Sequence, residues 1–228
     1  MATGPRLDEI ARLLGDRSRA DMLSALMDGR EWTGRELAAV VNVTPSTASS
    51  HLQRLIDGAI VSATAHGRHK YYRIARPDVA EMLETLMALA PAQSEPRHAD
   101  TRAIAATLRR LRTCYDHLAG RLAVKLTDTL IERGAIDFTD GTATATPVGL
   151  ALFASLGLRL DVTPGRRPVC RPCLDWSERR YHLAGRVGAA LARHAFDEGW
   201  VTLHGDTRAL DVTERGIIAL GDSFGIDC

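Results

Sequence analysis

The chain has 228 residues, of which 45% are hydrophobic and 25% charged, and its formal net charge is +1. This composition is typical of a globular protein with one large or two small domains, and it excludes binding to nucleic acid through overall basic charge. No apolar run approaches the roughly 20 residues that span a membrane, and the first residues do not resemble a signal peptide, so we expect a cytoplasmic protein.

The first part of the chain predicts a series of short helices. Apolar residues at helical spacing indicate a helix over residues 7–14, and Asp16 can cap a second helix that runs to Met27. Thr33 and Glu36 have the spacing of a capping box, in which each side chain accepts a backbone N–H at the start of a helix. They predict a third helix.

A fourth helix is predicted to begin after Thr44, a good N-cap, with Pro45 at its first helical position and Asp57 at its end. One apolar stripe leaves an outer face that is rich in hydroxyl groups and almost free of acid. Short polar side chains of this kind can bond base edges and phosphates, although an ordinary solvated face has the same composition. The residues on this outer face are Ser46, Thr47, Ser49, Ser50, Gln53 and Arg54.

The segments on either side of the fourth helix decide between these two interpretations. Only Asn42 and Val43 separate it from the helix before, which is the spacing of a helix-turn-helix. Residues 60–65 and 69–74 then predict a β-hairpin with Arg68 at its tip. Five Lys and Arg residues stand against one acid over residues 44–76, the local charge that a phosphate backbone attracts. The pattern predicts a DNA-reading helix with a basic wing.

The segment from about Leu7 to Leu89 carries further motifs in order: Leu14-Gly-Asp-Arg-Ser-Arg-Ala-Asp-Met-Leu-Ser-Ala-Leu, Glu36-Leu-Ala, Thr44-Pro-Ser-Thr-Ala-Ser-Ser-His-Leu-Gln-Arg-Leu, Gly58-Ala-Ile-Val and Gly67-Arg-His-Lys-Tyr-Tyr-Arg-Ile. With this series the segment resembles the ArsR/SmtB family of winged-helix repressors. The resemblance implies a homodimer that binds an operator in double-stranded DNA and releases it when an inducer binds, often a metal or metalloid ion. The predicted DNA-binding residues are therefore Thr44, Ser46, Thr47, Ser49, Ser50, His51, Gln53, Arg54, Arg68, His69, Lys70 and Tyr72.

The two inducer sites common in that family have no counterpart here. The helix that often holds Cys-x-Cys reads Glu36-Leu-Ala-Ala-Val-Val-Asn, and no cysteine precedes Cys114. The helix predicted over 77–90 offers Asp78, Glu81 and Glu84 but no histidine. Its apolar stripe predicts a packing seam, which the resemblance implies to be the dimer contact: Val79, Met82, Leu83, Leu86 and Met87.

The second half of the chain repeats itself after a Pro-containing linker over 91–99. His117-Leu-Ala-Gly-Arg-Leu recurs as His182-Leu-Ala-Gly-Arg-Val, and each copy predicts helix, two short strands, helix, over about 112–160 and 171–226. One copy buries too little surface to fold alone, so we expect the two to pack about a pseudo-twofold. The predicted fold is mainly α with small β-hairpins (α+β): a winged helix-turn-helix domain over 1–90 and a duplicated, sensor-like domain over 100–228.

The duplicated half holds the cysteines, and a total of four is too few for a disulfide scaffold. Both copies contain Arg-x-Cys-x-Asp, ending at Asp116 and Asp175, and Cys170 and Cys173 have a spacing that suits two thiolates on one soft ion. A capping box read over Asp175-Trp-Ser-Glu178 predicts a helix N-terminus nearby, which favours a thiolate. The predicted metal or thiol sensor is Cys114, Cys170 and Cys173, with His117, Asp175, His182 and Cys228 as further ligands.

Each of these residues could have a structural role instead of binding a metal ion. The two histidines can bond backbone carbonyls, Asp116 and Asp175 can cap helices, and Cys114 can be a small buried residue. We therefore hypothesise a dimeric repressor whose signal is a thiophilic ion such as As(III), Zn(II) or Cu(I), or an oxidant or electrophile. The alternatives are an organic ligand between the two copies or a thiol-based enzyme. The sequence contains no phosphate loop, nucleophile elbow or acid pair, so we predict no enzyme.

Overall fold

The computed structural model describes residues 7–67, 69–90, 99–139, 141–158, 160, 163, 165 and 167–227, with only the backbone for 99–104. The chain divides into two compact units. The first contains the described residues through Met82 together with 99–101, and the second contains 83–90 and 102–227. The predictions for Arg68, for the linker over 91–98 and for Cys228 lie outside the described residues. No helix in the described part of the chain is long and apolar enough to cross a bilayer.

The first unit is a helix-turn-helix followed by a β-hairpin. Its elements are α1 (Leu7–Leu14), α2 (Arg17–Leu26), β1 (Trp32–Thr33), α3 (Gly34–Val41), α4 (Pro45–Asp57), β2 (Val61–His66) and β3 (His69–Ile74). The strands form a sheet in the order β1-β3-β2. The short strand β1 was not predicted, because two residues carry no alternation that a sequence pattern can reveal.

The predicted helix caps of this unit are confirmed. The Asp16 carboxylate accepts the N–H of Arg19, Thr33 and Glu36 form a complete capping box, and the Thr44 hydroxyl accepts the N–H of Thr47. Between α3 and α4 the backbone turns through Asn42 in the left-handed conformation, with φ at 55°. Local hydrogen bonds therefore set the start of α4 and the tight turn before it.

The helix α5 (Pro77–Leu89) follows the wing, and its residues from Leu83 onward belong to the second unit. Next come α6 (Ala99–Arg110), β4 (Arg112–Cys114), β5 (His117–Ala119), α7 (Arg121–Glu132), β6 (Ile136–Thr139), β7 (Thr142–Ala145) and α8 (Pro147–Ser155). The chain ends with β8 (Arg171–Leu174), β9 (Tyr181–Ala184), α9 (Gly185–Asp197), β10 (Val201–Leu203), β11 (Leu210–Val212) and α10 (Glu214–Phe224). The order hairpin, helix, hairpin, helix thus occurs twice.

The first hairpin of each copy departs from the predicted order. The repeated His-Leu-Ala-Gly segments begin as strands, and the helices start only at Arg121 and Gly185. Gly120 and Gly185 make this change of direction at φ values of +93° and +84°, where a Cβ would meet a backbone carbonyl oxygen at 2.9 and 2.8 Å. A strand-to-helix junction that needs glycine therefore occurs at the same place in both copies.

The capping box predicted at Asp175 is wrong. The carboxylate of Asp175 accepts the N–H groups of Ser177 and Glu178, but these residues form a turn that leads into β9 rather than a helix. The local hydrogen bonds of an Asx turn and of a helix cap are alike, and the pairing of β8 with β9 decides between them.

One apolar cluster contains residues of both copies and forms the core of the second unit. Its members include Leu122, Leu126 and Leu130 on α7, and Val187 and Leu191 on α9. The core thus holds the two copies in one packed body and fixes the position of their first hairpins.

Candidate metal centre

The first hairpin of each copy carries one cysteine directly opposite one histidine. The antiparallel register pairs Cys114 with His117 in β4–β5, and Cys173 with His182 in β8–β9. Residues directly opposite each other in such a pair project to the same face of the sheet with their side chains in contact range. Each hairpin therefore presents one sulfur and one imidazole side by side.

The two hairpins bring these pairs to one point. One ligand atom from each of Cys114, His117, Cys173 and His182 lies within 4.8 Å of all the others. The two histidine Nε2 atoms are 3.1 Å apart. Cys114 and both histidines are buried, and Cys173 is partly buried. We call these four residues the four-donor cluster.

A carboxylate lies behind each imidazole of the four-donor cluster. Asp175 Oδ2 is 3.1 Å from His182 Nδ1, and Asp116 Oδ1 is 3.5 Å from His117 Nδ1. Each Nδ1 thus faces a carboxylate while each Nε2 faces the centre, which is the usual arrangement around a metal-binding histidine. Asp116 is itself held by Arg167, whose guanidinium donates to both carboxylate oxygens at 2.6 and 2.8 Å.

Asp175 is completely buried and is held in place by the other copy. Arg112 Nη2 and the N–H of Gly120 both donate to Asp175 Oδ2, at 3.0 and 2.7 Å. Burial alone would raise the pKa of Asp175, but its contact with His182 and the charge of Arg112 hold that pKa well below its ordinary value. Burial likewise opposes a charge on His182, yet Asp175 and Cys173 raise the pKa of this imidazole. Asp175 is therefore a carboxylate beside a basic imidazole.

The two sulfurs of the four-donor cluster differ in protonation. The S–H of Cys114 donates to Glu84 Oε2 at 2.6 Å, and the nearby Cys173 together with burial raises the pKa of Cys114. The nearby Cys114 lowers the pKa of Cys173 against the effect of burial, and both histidines lower it further. The opposite directions favour the proton on Cys114 and the thiolate, the form of cysteine that binds metals, on Cys173.

Glu84 of α5 contacts the four-donor cluster, although its sequence position indicated only an acid on the helix after the wing. It is buried, accepts a hydrogen bond from Arg208 and lies 3.8 Å from Nε of Arg112. Burial would raise the pKa of Glu84, but the charges of Arg208 and Arg112 keep it below its ordinary value. Its contact with Cys114 joins residues 30 positions apart, so no local pattern could have revealed it.

The remaining predicted sensor residues are not among the four donors. Cys170 packs in the apolar core, where burial raises its pKa to about 11, and it is not part of the four-donor cluster. Cys170 lies in a bend just before β8, whereas Cys173 lies within β8 opposite His182, so the two thiols do not join one cluster despite their spacing. The geometry of the described residues does not support the predicted pairing of these two thiols on one ion. Cys228 lies outside the described residues.

Most of the predicted DNA-binding side chains are exposed in the first unit. They are Ser46, Thr47, Ser49, Ser50, Gln53 and Arg54 on α4, and His69 and Lys70 on β3. Thr44 is also exposed, but its hydroxyl caps α4 and contacts the hydroxyl groups of Ser46 and Thr47. The exposed side of α4 is thus polar and carries no acid before Asp57.

Two residues of the predicted DNA-binding set are placed differently. The side chain of His51 is only 16% exposed, with Nδ1 3.6 Å from Asp16 Oδ1 and 3.4 Å from Arg19 Nη1, so it holds α4 against α2. Tyr72 is buried and pairs with Trp32 of β1. The Tyr72 ring lies against Gly34 at the start of α3, 3.4 Å from where a Cβ would stand there, and this long-range contact could not be read from the sequence.

Comparisons with known proteins agree with the architecture of the first unit. Residues 16–63 match the family model "Bacterial regulatory protein, arsR family". Over 216 residues, 94% of this chain and 95% of the relative, the chain is 39% identical to the uncharacterized HTH-type transcriptional regulator YdfF of Bacillus subtilis. It is also 37% identical to the HTH-type transcriptional regulator CmtR of Mycobacterium bovis. That match covers 81 residues, which are 36% of this chain and 68% of CmtR.

Two solved structures are similar to between 36% and 39% of this chain. One is the AntR antimony-specific transcriptional repressor, at 35% identity, covering 36% of this chain and 78% of that one with a TM-score of 0.32. Another is a homodimeric winged helix-turn-helix DNA-binding domain from Mycobacterium bovis, at 31% identity. This match covers 39% of this chain and 89% of that domain, with a TM-score of 0.34. The similarity to YdfF extends over nearly the whole chain.

Proposed function

Because the chain belongs to the arsR family of DNA-binding transcriptional regulators, we propose that it is a dimeric cytoplasmic repressor that leaves its operator when a thiophilic ion binds its second unit. The observation that carries this proposal is the four-donor cluster, in which two sulfurs and two imidazoles converge within 4.8 Å. Thiolate and imidazole are ligands for soft and borderline ions, and buried groups of this kind need a reason to converge.

Contact with the operator falls to the exposed polar side of α4 and to the wing. Hydroxyl and amide side chains there can bond base edges, while Arg54 and Lys70 supply positive charge for phosphates. His51 and Tyr72 support this surface from behind rather than reach the DNA, as their burial implies.

Dimerisation is proposed through α5. Leu86 and Leu89 of this helix are 44% and 72% exposed in the single chain, and a second copy would remove both from water. A twofold dimer would present two α4 helices to the two halves of a palindromic operator.

The link between ion binding and DNA release is proposed to pass through Glu84. An ion that binds Cys114 as a thiolate would release the Cys114 proton to solvent, and Glu84 would then lose the hydrogen bond that it accepts from this S–H. Glu84 lies in α5, whose residues through Met82 group with the winged helix. An inducer must bind one state of the dimer better than the other, and this change of hydrogen bonding gives the ion such a preference.

The alternative of an organic ligand has less support. An apolar cavity in the second unit is lined by Leu and other aliphatic side chains with Trp200. Pockets for organic ligands combine such walls with a few polar groups that orient the ligand, whereas here the polar groups gather in the four-donor cluster.

The test is operator binding by the reduced full-length chain, with a DNA site selected from a random-sequence library. We expect one of As(III), Zn(II) or Cu(I) to weaken binding at least about tenfold, in line with usual allosteric coupling. Cys114→Ser and Cys173→Ser should abolish the response, whereas Cys170→Ala should retain it. The proposal fails if none of these ions changes DNA affinity, or if the double serine variant responds as the natural chain does. A response to oxidant alone would also reject an ion as the signal.

A further inference from the structure

We propose that the four-donor cluster is a closed, four-coordinate site for a divalent ion of the zinc type and that it discriminates against As(III). This inference rests on the proposed function, because it names the class of ion that the same site accepts.

The distances within the four-donor cluster match a tetrahedral ion. With Zn–S near 2.3 Å and Zn–N near 2.0–2.1 Å, a tetrahedron places two nitrogens about 3.4 Å apart and two sulfurs about 3.8 Å apart. The Nε2 atoms of His117 and His182 are 3.1 Å apart, and all four ligand atoms are within 4.8 Å of one another. Side-chain adjustments of about 1 Å or less would complete the tetrahedron.

The donor set also selects the charge and softness of the ion. Two thiolates balance a divalent ion, and two neutral imidazoles complete a mixed set that zinc accepts readily. As(III) prefers three thiolates in a pyramidal arrangement. Among the described cysteines, Cys114 and Cys173 lie in the cluster and Cys170 lies in the apolar core, so the described residues provide two sulfurs at this point.

The residues behind the ligands are already oriented for an ion. Asp175 and Asp116 face the Nδ1 atoms, which directs both Nε2 atoms toward the centre. Asp175 is fixed in turn by Arg112 and by the N–H of Gly120. Two buried imidazoles that merely bonded each other would not require two sulfurs at the same point, whereas an ion uses all four donors.

Each copy supplies one sulfur and one nitrogen, so neither copy alone completes the site. Cys114 and His117 come from β4–β5, and Cys173 and His182 come from β8–β9. A four-coordinate ion would therefore cross-link the first hairpins of the two copies, and this is how binding at one point would change the second unit as a whole.

The experiment is a titration of the reduced full-length chain with Co(II), Zn(II) and As(III), with X-ray absorption on the zinc form. We expect one Co(II) per chain with the intense visible bands of a tetrahedral site and sulfur-to-metal charge transfer. The zinc spectrum should show two sulfurs near 2.3 Å and two nitrogens near 2.0–2.1 Å. As(III) should bind at least about tenfold more weakly than Zn(II), since it loses one of its preferred ligands.

Variants test the residues behind the ligands. Asp175→Asn should weaken Zn(II) binding about 10- to 100-fold, as is usual when the partner of a ligand histidine is lost. Asp211→Asn is the matched control, because Asp211 contacts His204 at 2.8 Å on the exposed surface, away from the cluster. It should leave the affinity unchanged.

Three results would overturn the inference: weak octahedral Co(II) bands, a zinc spectrum with other than two sulfurs, or tighter binding of As(III) than of Zn(II). The spectra of the natural chain decide this even if a variant does not fold. The proposed function fails separately, when zinc binds with two sulfurs and two nitrogens but operator affinity does not change. If As(III) released the operator through Cys114 and Cys173 and Zn(II) did not, the zinc-type ion class would be rejected, while the proposed repressor function would stand.

Discussion

The Nε2 atoms of His117 and His182 lie 3.1 Å apart although 65 residues separate the two histidines. They occupy the same position in two copies of one structural unit, each opposite a cysteine in its hairpin. Packing of the two copies on one core thus places two cysteine–histidine pairs against each other. The proposed site depends on the folded second unit, so it can be tested through stability as well as through binding.

Zinc should stabilise the second unit. At a free Zn(II) concentration of about 100 times Kd, an ion that binds only the folded state adds about 2.7 kcal/mol, which raises Tm by several degrees. The measurement is thermal unfolding of a chain with Trp32→Phe, so that the fluorescence comes from Trp176 and Trp200 in the second unit. Cys173→Ser should lose the shift, whereas Cys170→Ala should keep it from a lower starting Tm because Cys170 fills the core. An equal shift in Cys173→Ser would contradict the site.

Removal of Glu84 should destabilise the second unit strongly. Glu84 is buried beside Arg112 and Arg208, and Glu84→Ala leaves their charges without this carboxylate. Loss of one partner from a buried ion pair costs about 3–5 kcal/mol, measurable as a fall in the free energy of unfolding in urea. Asp78→Asn on the same helix is the control, because its pair with Arg76 is exposed and its loss should have little effect. Equal effects of the two changes would show that the Glu84 cluster contributes no special stability.

The cap at Asp16 predicts a pH-dependent contribution to stability. The N–H of Arg19 lowers the pKa of Asp16 in the folded state, so its contribution is present above about pH 4 and is lost as pH falls through the folded pKa. Asp16→Ala should cost about 1 kcal/mol at pH 7 and progressively less between about pH 4 and pH 2. Urea unfolding followed by circular dichroism measures both values.

Thr44→Ala is the matched control for the Asp16 experiment, because the Thr44 hydroxyl caps α4 without titrating. Its cost should be about 1 kcal/mol at every pH. A cost of Asp16→Ala that is the same at pH 7 and at pH 2 would show that the carboxylate charge does not contribute.

The exposed cations of the winged helix should contribute to DNA binding through phosphates. Arg54→Ala and Lys70→Ala should each reduce the slope of log K against log salt concentration by about 1 on a random-sequence duplex. Arg215→Ala removes an exposed charge from α10 in the second unit and should leave the slope unchanged. Equal slopes for all three variants would place the DNA surface elsewhere.

Local patterns predicted the first unit well because its determinants are short-range. A helix cap joins residues two or three positions apart, so Asp16, Thr33 and Thr44 could be recognised directly. The burial of Tyr72 could not, since it depends on α3, which contacts β3 from an earlier part of the chain. His51 likewise turns inward because α2 offers it Asp16 and Arg19.

By itself the sequence determined that the chain has a winged helix, that its second half is duplicated, and that each copy carries a cysteine and a histidine with an aspartate nearby. Only the tertiary structure decided which donors meet. The Cys-x-x-Cys spacing suggested Cys170 with Cys173, but Cys170 lies in a bend before β8 and packs in the core. Cross-strand register instead selects Cys114 with His117 and Cys173 with His182, and the packing of the two copies unites them.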